Sequence, residues 1–297
     1  MVYIKVWASH LNNRYQGIVL TKLSSGRIHP YLIYGTAFKK NRTQELTEKA
    51  LERGFEGVDS ANFPTSYEES QVGEAIQKAL RLGVKREDIL VQTKFAPAWA
   101  HEEGKVPYNV DQPLEAQVRQ SVEQSFANLQ VDYIDVLILH DPFEDPADNI
   151  VAWRVFESLV PDRVGVLGVS NFLLPDLEKL FDEATVKPEI AFAVLKANKE
   201  AISSDIVTCL ADRFSIQKET AFYILVLGLG RMSVINGTTS EEHMKTDLEK
   251  VKELLENQDH VREIKSYLGD FEALLQEIAA GAKDIEIKRK LEAVAEE

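Results

Sequence analysis

The sequence is short of cysteine, of basic charge and of long apolar runs, and each shortage excludes a class of protein. Only one of the 297 residues, Cys209, is a cysteine, so no disulfide can form within the chain and a reducing compartment is expected. The formal net charge of -14 argues against nucleic acid as the main partner, because phosphate binding needs a basic surface. No apolar run approaches the ~20 residues of a membrane-spanning helix, so no membrane partner is expected.

Two expectations about packing and location follow. Cys209 lies in the helical pattern DIVTCLADRF, which favours a buried structural thiol over a reactive one. Seven Lys or Arg residues precede the first acidic residue, Glu45, which is weakly similar to a transit peptide. The apolar residues there alternate as in strands, however, and a cytoplasmic location is therefore expected.

Apolar runs alternate with amphipathic stretches along most of the chain. The segment around the turn SSG reads as a hairpin of two short strands. From YLIYG to the last strand, MSVING, strand-like runs alternate with helical ones. Repeated strand and helix with buried strands indicates a parallel sheet, either open and doubly wound or closed into a barrel.

Polar residues at the ends of successive strands favour the barrel. Asp59, Lys94, His140 and the pair Ser170–Asn171 each stand where an apolar run ends. A TIM barrel presents its catalytic groups in this way at the carboxyl ends of its strands. A doubly wound sheet typically has a glycine-rich first turn, and no G-x-G-x-x-G follows any strand here. The sequence predicts an α/β protein of the TIM (β/α)8 type, with an N-terminal hairpin.

If those strand ends converge, Asp59, Lys94 and His140 lie together with Tyr67 at one end of the barrel. A phenol with a pKa near ~10 is a poor acid or base near neutrality, and a nearby ammonium lowers that value. A carboxylate keeps the lysine charged, and a histidine can hydrogen-bond a substrate oxygen. Such a group of side chains would polarise a carbonyl and protonate its oxygen as hydride reaches its carbon.

Six segments, in their order, resemble the aldo-keto reductase family: GTAF, GFEGVDSANFPTSYEESQVGEAI, VQTKF, YIDVLILHDP, GVSNF and INGTTSEEHMKTDL. The resemblance runs from about residue 18 to residue 250. It implies that Asp59, Tyr67, Lys94 and His140 occupy the places of the family's catalytic tetrad, with the tyrosine as proton donor. The spacing from aspartate to tyrosine is longer than the family's commonest pattern.

The resemblance also implies NADPH as cofactor. Gly35 and Thr36 match contacts near the nicotinamide ribose, and Ser170 and Asn171 match contacts to the carboxamide. The other matching positions lie between the last strand and a helix, where backbone N–H groups suit phosphate. They are Gly237, Thr238, Thr239, Ser240 and His243, the last standing where many relatives place a cation on the adenosine phosphate. The same stretch is also a good helix N-cap.

The pattern is too short between Asn171 and Met232. The family has three helices and two strands there, whereas the 61 positions hold about two βα units of ~30 residues. One strand and one helix are therefore missing, and neither the glutamine of the sixth strand nor the stacking aromatic of the seventh is recognisable. We expect seven parallel strands in an open or distorted barrel, with weak NADPH binding because the missing pieces adjoin Ser170 and Asn171.

Two functions of different class remain open. The first is reduction of an aldehyde or ketone, a small-molecule substrate, to an alcohol with NAD(P)H. The second is a non-catalytic or impaired relative that acts through protein contacts. Residues 18–250 are expected to form the barrel domain and residues 251–297 a helical acidic extension. That extension is either a solvated covering or an oligomerisation surface, in a monomer or weak homo-oligomer.

Overall fold

The computed structural model describes residues 21–192 and 199–295, with the backbone alone at residues 199 and 279–295. The described chain divides into two compact units. The sheet unit holds residues 21–192 and 233–248, and the helical unit holds residues 199–232 and 249–295.

The sheet unit begins with the predicted hairpin. Strands β1 (Thr21–Lys22) and β2 (Ile28–His29) pair antiparallel, with Thr21 opposite His29. Gly26 has a φ of +86° in the turn between them, a conformation that glycine adopts without a steric penalty.

Seven further strands form one parallel sheet, which confirms the predicted number. They are β3 (Leu32–Gly35), β4 (Gly57–Asp59), β5 (Leu90–Phe95), β6 (Ile134–Leu139), β7 (Val164–Ser170), β8 (Ile190–Phe192) and β9 (Val234–Asn236). The spatial order is β8-β7-β6-β5-β4-β3-β9. Strand β6 is buried at every position, as its nearly continuous apolar sequence predicts.

The sheet is open at one seam. Strand β8 pairs with β7, where Ser170 is opposite Phe192, and β9 pairs with β3, where Leu32 is opposite Val234. Within the described residues β8 and β9 are the two edges and do not pair with each other. The prediction of an incomplete (β/α)8 barrel is therefore confirmed, and the gap lies where the strand is missing from the sequence.

Five helices connect the strands of the sheet unit: α1 (Thr43–Glu52), α2 (Glu69–Arg81), α3 (Leu114–Leu129), α4 (Pro146–Glu157) and α5 (Leu174–Glu183). Helix α4 is an addition to the predicted elements. Its start carries two ordinary signals, since Asp145 accepts a hydrogen bond from the Ala147 backbone N–H and Pro146 is the first helical residue. Its residues Trp153 and Phe156 are fully buried in the core.

The helical unit contains α6 (Lys199–Ser203), α7 (Asp205–Phe214), α8 (Lys218–Gly228) and the long α10 (Gln258–Ala295). Helix α9 (Glu241–Glu256) begins in the sheet unit and continues into this one. Phe222 and Phe271 pack edge to face with ring centroids 5.8 Å apart. The predicted helical C-terminal extension is thus confirmed over the described residues. None of the described helices combines the length and the apolarity that crossing a membrane requires.

The expectation of a buried cysteine is wrong. Cys209 lies in α7 as predicted, but its side chain is exposed. The neighbouring Val207, Leu210 and Ala211 supply the buried face of that helix instead. The helical period places position 209 on the other face, so the sequence pattern identified the helix but not the side that packs.

Helices α2 and α3 approach closely at Gly73, and we predict that Gly73→Ala destabilises the fold. An alanine Cβ there would lie 2.1 Å from the carbonyl oxygen of Asn128 and 2.9 Å from the backbone carbon of Leu129. Overpacking against backbone lowers the free energy of unfolding by about 1–3 kcal/mol. Urea unfolding measures the loss.

Gly269→Ala in α10 is the matched control. No atom lies within 4 Å of an added Cβ at Gly269. Alanine favours a helix over glycine by about 1 kcal/mol, so this variant should be as stable as the original protein or more so. Equal stability of the two alanine variants would contradict the predicted contact at Gly73.

Candidate active site

Three of the predicted catalytic residues lie together at the carboxyl ends of the central strands β4, β5 and β6. Asp59 is the last residue of β4, Lys94 is the last but one of β5, and His140 follows β6 directly. Parallel pairing of adjacent strands causes this convergence, because it aligns their carboxyl ends. The sequence argument from strand ends therefore located these three correctly in space.

Asp59 and Lys94 form a fully buried ion pair. The Lys94 Nζ lies 2.5 Å from Asp59 Oδ1 and donates a second hydrogen bond to the Ser60 carbonyl at 2.7 Å. The side chains are 2% and 0% exposed. Burial alone lowers the pKa of Lys94, but the attraction of Asp59 and then of Tyr67 outweighs it, and the net shift is upward. The lysine is therefore a permanent ammonium.

Tyr67 lies beside that ammonium. The Lys94 Nζ is 4.9 Å from the centroid of the tyrosine ring. Burial raises the pKa of Tyr67, the charge of Lys94 lowers it, and the nearby carboxylates of Asp59 and Asp141 raise it again, so that the net shift is upward. The pKa of the phenol is therefore set mainly by burial, and the charge of Lys94 acts in the direction of a stronger acid.

The loop between β4 and α2 holds Tyr67 in this place. The backbone N–H of Tyr67 donates to the Phe63 carbonyl at 3.0 Å. Asn62 fixes the start of the loop, since its side chain donates to the carbonyl and the hydroxyl of Ser121, each at 3.0 Å. At the end of the loop the buried Glu69 accepts from the Thr93 hydroxyl at 2.5 Å. The loop is therefore tied to α3 and β5, and the longer spacing from Asp59 to Tyr67 is accommodated.

His140 completes the group. Its ring centroid lies 6.2 Å from that of Tyr67 and 5.5 Å from that of Phe63. Burial lowers the pKa of His140 to about 3, with smaller contributions from Lys94 and His101. Its Nδ1 is buried and has no hydrogen-bond partner. The imidazole is neutral near pH 7, as a hydrogen-bond donor to a carbonyl oxygen should be.

Gly35 and Thr36 are buried at the end of β3 and have structural partners. A Cβ on Gly35 would lie 2.5 Å from the Ile235 side chain, so the close pairing of β3 with β9 requires glycine. The Thr36 hydroxyl donates to the Asp59 carbonyl at 2.8 Å. Both residues therefore support the strands under the site, and their role toward a cofactor stays a prediction.

Ser170 and Asn171 differ in the hydrogen bonds that their side chains form within the protein. Ser170 Oγ is buried and has no hydrogen-bond partner within residues 21–192 and 199–295, which suits a hydroxyl that contacts a ligand. The Asn171 amide donates to the His140 carbonyl at 3.0 Å and to Asp141 Oδ1 at 2.8 Å. Asn171 has a φ of +59°, a conformation that asparagine tolerates better than most residues.

The loop before α9 is largely bonded to itself. The Thr238 N–H donates to Asn236 Oδ1 at 2.9 Å and the Ser240 N–H donates to the Thr238 hydroxyl at 3.2 Å. The Ser240 hydroxyl accepts from the His243 N–H at 3.3 Å, which is a helix N-cap. Gly237 and Thr239 are exposed. The two interpretations of this stretch are a helix N-cap and a phosphate site. Both depend on the same backbone N–H groups at the start of α9.

Four residues at the site were missed from the sequence. Gln92 donates to Asp59 Oδ1 at 2.7 Å, and the side chain of Lys39 donates to the Gly237 carbonyl. The Phe192 ring centroid lies 5.3 Å from Lys94 Nζ. The fourth, Asp141, is next to His140 and has a pKa raised by burial to about 6. Alternation along β5 was a usable signal for Gln92, because positions 92 and 94 share a face.

A family match covers the part of the chain that carries Asp59, Tyr67, Lys94 and His140. A family model described as the Aldo/keto reductase family matches residues 31–212. The chain belongs to the aldo/keto reductase family. A glycerol 2-dehydrogenase (NADP(+)) of Hypocrea jecorina is 32% identical over 196 residues, which are 57% of this chain and 57% of that protein. A glyoxal reductase of Bacillus subtilis (strain 168) is 31% identical over 173 residues, 57% of this chain and 55% of that protein. The chain thus spans little more than half the length of these relatives.

Solved structures of family members share the fold. An aldo/keto reductase from Brucella melitensis superposes with a TM-score of 0.67 at 22% identity, covering 84% of this chain and 99% of that one. An aldo-keto reductase complexed with NADPH gives a TM-score of 0.66 at 17% identity, covering 84% and 87%. Among the described residues no group of three or more His, Cys, Asp or Glu side chains could hold a metal ion.

We predict that His140 makes the stability of the protein pH-dependent below pH 6.5. An unfolded histidine has a pKa of about 6.5, whereas the pKa of His140 in the fold is about 3. Between these values the unfolded chain binds more protons, so this stability is fully present above pH 6.5 and is lost as the pH falls. The slope reaches at most about 1.4 kcal/mol per pH unit.

Urea unfolding of the original protein and of His140→Asn between pH 8 and pH 5 tests this. The difference between their free energies of unfolding should be constant from pH 8 to pH 7 and should change below pH 6.5, since asparagine does not titrate. Ring proton NMR signals of His140, assigned with the same variant, should stay at their neutral positions down to pH 5. Parallel stability curves over the whole range would contradict a neutral buried imidazole.

Proposed function

We propose that the protein reduces an aldehyde or ketone to an alcohol with NADPH, and that Tyr67 donates the proton. The observation that carries the proposal is the grouping of the buried Asp59–Lys94 pair with Tyr67, whose ring centroid is 4.9 Å from the ammonium. The names of the similar proteins, a glycerol 2-dehydrogenase (NADP(+)) and a glyoxal reductase, support the reaction class.

Each side chain has one role in this proposal. Tyr67 gives its proton to the carbonyl oxygen, and the Lys94 ammonium stabilises the phenolate that remains. Asp59 keeps the ammonium charged inside the protein, at an Nζ–Oδ1 distance of 2.5 Å. His140, whose pKa is held near 3 mainly by burial, is neutral and donates a hydrogen bond that orients the carbonyl.

The described residues fit the nicotinamide end of the cofactor better than its adenosine end. Ser170 Oγ is buried without a partner, and Phe192 lies opposite Ser170 on the next strand. These two would hold the nicotinamide ring, and NADPH when bound supplies the hydride. The N–H groups of Thr238, Ser240 and His243 are already bonded within their loop. We therefore propose that NADPH binds with lower affinity than a site with free N–H groups would give it.

A non-catalytic function is the second candidate, and the open seam between β8 and β9 favours it. Edge strands present unpaired backbone groups that another chain can pair with. A cofactor site that adjoins such a seam is also less enclosed. The two candidates differ in whether NADPH binds at all.

We predict that Tyr67→Phe abolishes reduction of a generic aldehyde while the affinity for NADPH stays the same. The lost hydroxyl acts on the substrate oxygen, so its removal lowers kcat rather than cofactor binding. Loss of NADPH oxidation in a steady-state assay and NADPH titration by quenching of tryptophan fluorescence measure the two quantities. Lys94→Met should lower kcat in the same way.

The same titration decides between the two candidate functions. For the original protein we expect quenching with a dissociation constant well above the micromolar range. No quenching at millimolar NADPH would favour the non-catalytic function. Equal loss of cofactor binding and turnover in Tyr67→Phe would show that the tyrosine is structural.

From the charge of Asp141 we predict that the protein prefers uncharged aldehydes to aldehydes that carry a carboxylate. Burial raises the pKa of this carboxyl to about 6, so it is charged at pH 8, and its charge acts on Tyr67, where the carbonyl oxygen is expected. An aldehyde that carries a carboxylate is therefore repelled. At pH 8 Asp141→Asn should raise kcat/KM for 4-carboxybenzaldehyde about fivefold relative to 4-nitrobenzaldehyde.

Glu144→Gln is the matched control, because Glu144 is exposed and three residues farther along the chain. It should leave the ratio of the two kcat/KM values unchanged. The same ratio in Asp141→Asn as in the original protein would show that the carboxylate does not act on the substrate.

A further inference from the structure

A row of polar side chains leads from the N-terminal hairpin to the Asp59–Lys94 pair. Gln92 on β5 is 2% exposed, and its Nε2 donates to Asp59 Oδ1 at 2.7 Å. The same oxygen accepts from Lys94 Nζ at 2.5 Å. His29, at the end of β2, is also buried, and its Nδ1 lies 2.6 Å from Ser233 Oγ. A buried amide and a buried imidazole in the interior of the sheet unit need a reason, because each costs desolvation.

The hydrogen bonds determine the state of His29. The Ser233 hydroxyl has one proton, which it donates to the Pro30 carbonyl at 2.6 Å. The same Oγ lies within hydrogen-bond distance of His29 Nδ1. Burial lowers the pKa of His29 to about 4, against opposing effects of the Gln92 side chain and the Pro30 backbone, so the ring is neutral. Its Nε2 is buried and has no hydrogen-bond partner among the residues that the structure describes.

Gln92 has one orientation that satisfies Asp59. A carboxylate is acceptor-only, so the amide must place its NH₂ group toward Asp59 and its oxygen away from it. Gln92 Oε1 is buried without a partner, like His29 Nε2. A side chain that leaves its own oxygen unpaired in order to donate to Asp59 acts for the aspartate rather than for the core.

We propose that Gln92 is a positioning residue that fixes the Asp59 carboxylate against Lys94. Without the hydrogen bond from Gln92, Asp59 Oδ1 accepts only from the Lys94 ammonium. The carboxylate can then rotate about its side-chain bonds. Lys94 is then less fixed relative to Tyr67. The effect on turnover depends on the proposed carbonyl reduction, whereas the contact between Gln92 and Asp59 does not.

Two variants of the same size separate positioning from packing. Gln92→Met fills the space and cannot donate, so kcat should fall about tenfold at every pH, as for loss of an outer hydrogen bond in metal sites. The affinity for NADPH should not change. Gln92→Glu places a second carboxyl against Asp59, and two carboxyls this close share one proton. The protonated form can donate as the amide does, so kcat should be close to normal at pH 5.5 and should fall toward that of Gln92→Met by pH 8.5.

Unfolding in urea gives a readout that needs no activity. The shared proton means that the introduced carboxyl has a pKa above its unfolded value, so the stability it contributes is present at low pH and is lost as the pH rises. Gln92→Glu should therefore lose stability relative to Gln92→Met from pH 5.5 to pH 8.5. The other titratable groups near the pair, Lys94, Tyr67 and His29, are the same in both variants. The control pair Gln77→Met and Gln77→Glu, on α2, should show neither effect.

The outcomes are distinct. A pH-dependent rescue by Gln92→Glu, in kcat and in stability, supports the proposal. Normal kcat in Gln92→Met, or a loss in Gln92→Glu that does not depend on pH, overturns it. If Gln92→Met does not fold, Gln92→Asn, which keeps the amide but is too short to reach Asp59, replaces it. If the original protein reduces no aldehyde, the proposed function fails and the stability curves alone decide the role of Gln92.

Discussion

The buried ion pair between Asp59 and Lys94 is the interaction on which the site depends. An ammonium with no exposed surface keeps its charge only if fixed acceptors replace water. Asp59 supplies one acceptor and the Ser60 carbonyl a second, while Gln92 satisfies the same carboxylate oxygen from the neighbouring strand. Removing one partner of such a pair typically costs about 3–5 kcal/mol, because the other charge is then left buried without compensation.

The position of that pair explains how an incomplete barrel can keep an intact acid–base group. Strands β4, β5 and β6 are in the middle of the seven-stranded sheet, whereas the open edges are β8 and β9. Asp59, Lys94 and His140 therefore lie on strands that have both neighbours. Most residues proposed for the cofactor lie at the ends of β7, β8 and β9, toward the edges, whereas Gly35 and Thr36 lie at the end of β3. Loss of a strand at the seam therefore affects the strands beside the proposed cofactor site more than the strands that position Asp59, Lys94 and His140.

Strand ends could be predicted because they depend on local pattern and on one general rule. Apolar runs that end at Asp59, Lys94 and His140 were recognisable, and parallel pairing then brings the three together. The count of positions between Asn171 and Met232 was enough to predict seven strands and an open seam, because each βα unit needs a minimum length.

Other features depend on which side of an element packs, and a single sequence does not contain that information. Cys209 was placed in the correct helix and on the wrong face. Tyr108 lies in the polar loop after β5, yet it is buried and its hydroxyl donates to the Ala96 carbonyl at 2.8 Å. Helix α4 had readable cap signals in Asp145 and Pro146 but no clear amphipathic period, since its buried residues include Asn149 beside Trp153. Tertiary packing decides such cases.

A buried polar side chain that serves the fold can be distinguished from one that binds a ligand by whether its polar atoms have hydrogen-bond partners in the protein. Asp59 and Lys94 satisfy each other, so folding alone is a sufficient reason for the pair. His140 Nδ1 and Ser170 Oγ, at the ends of adjacent strands, are buried without partners, and an unpaired buried polar atom lowers stability by about 1–3 kcal/mol. A fold that needed only packing would have apolar side chains there. Within the described residues these two unsatisfied atoms are at the carboxyl ends of β6 and β7, where the proposed substrate and cofactor would bind, and the ring centroids of Tyr67 and His140 are 6.2 Å apart.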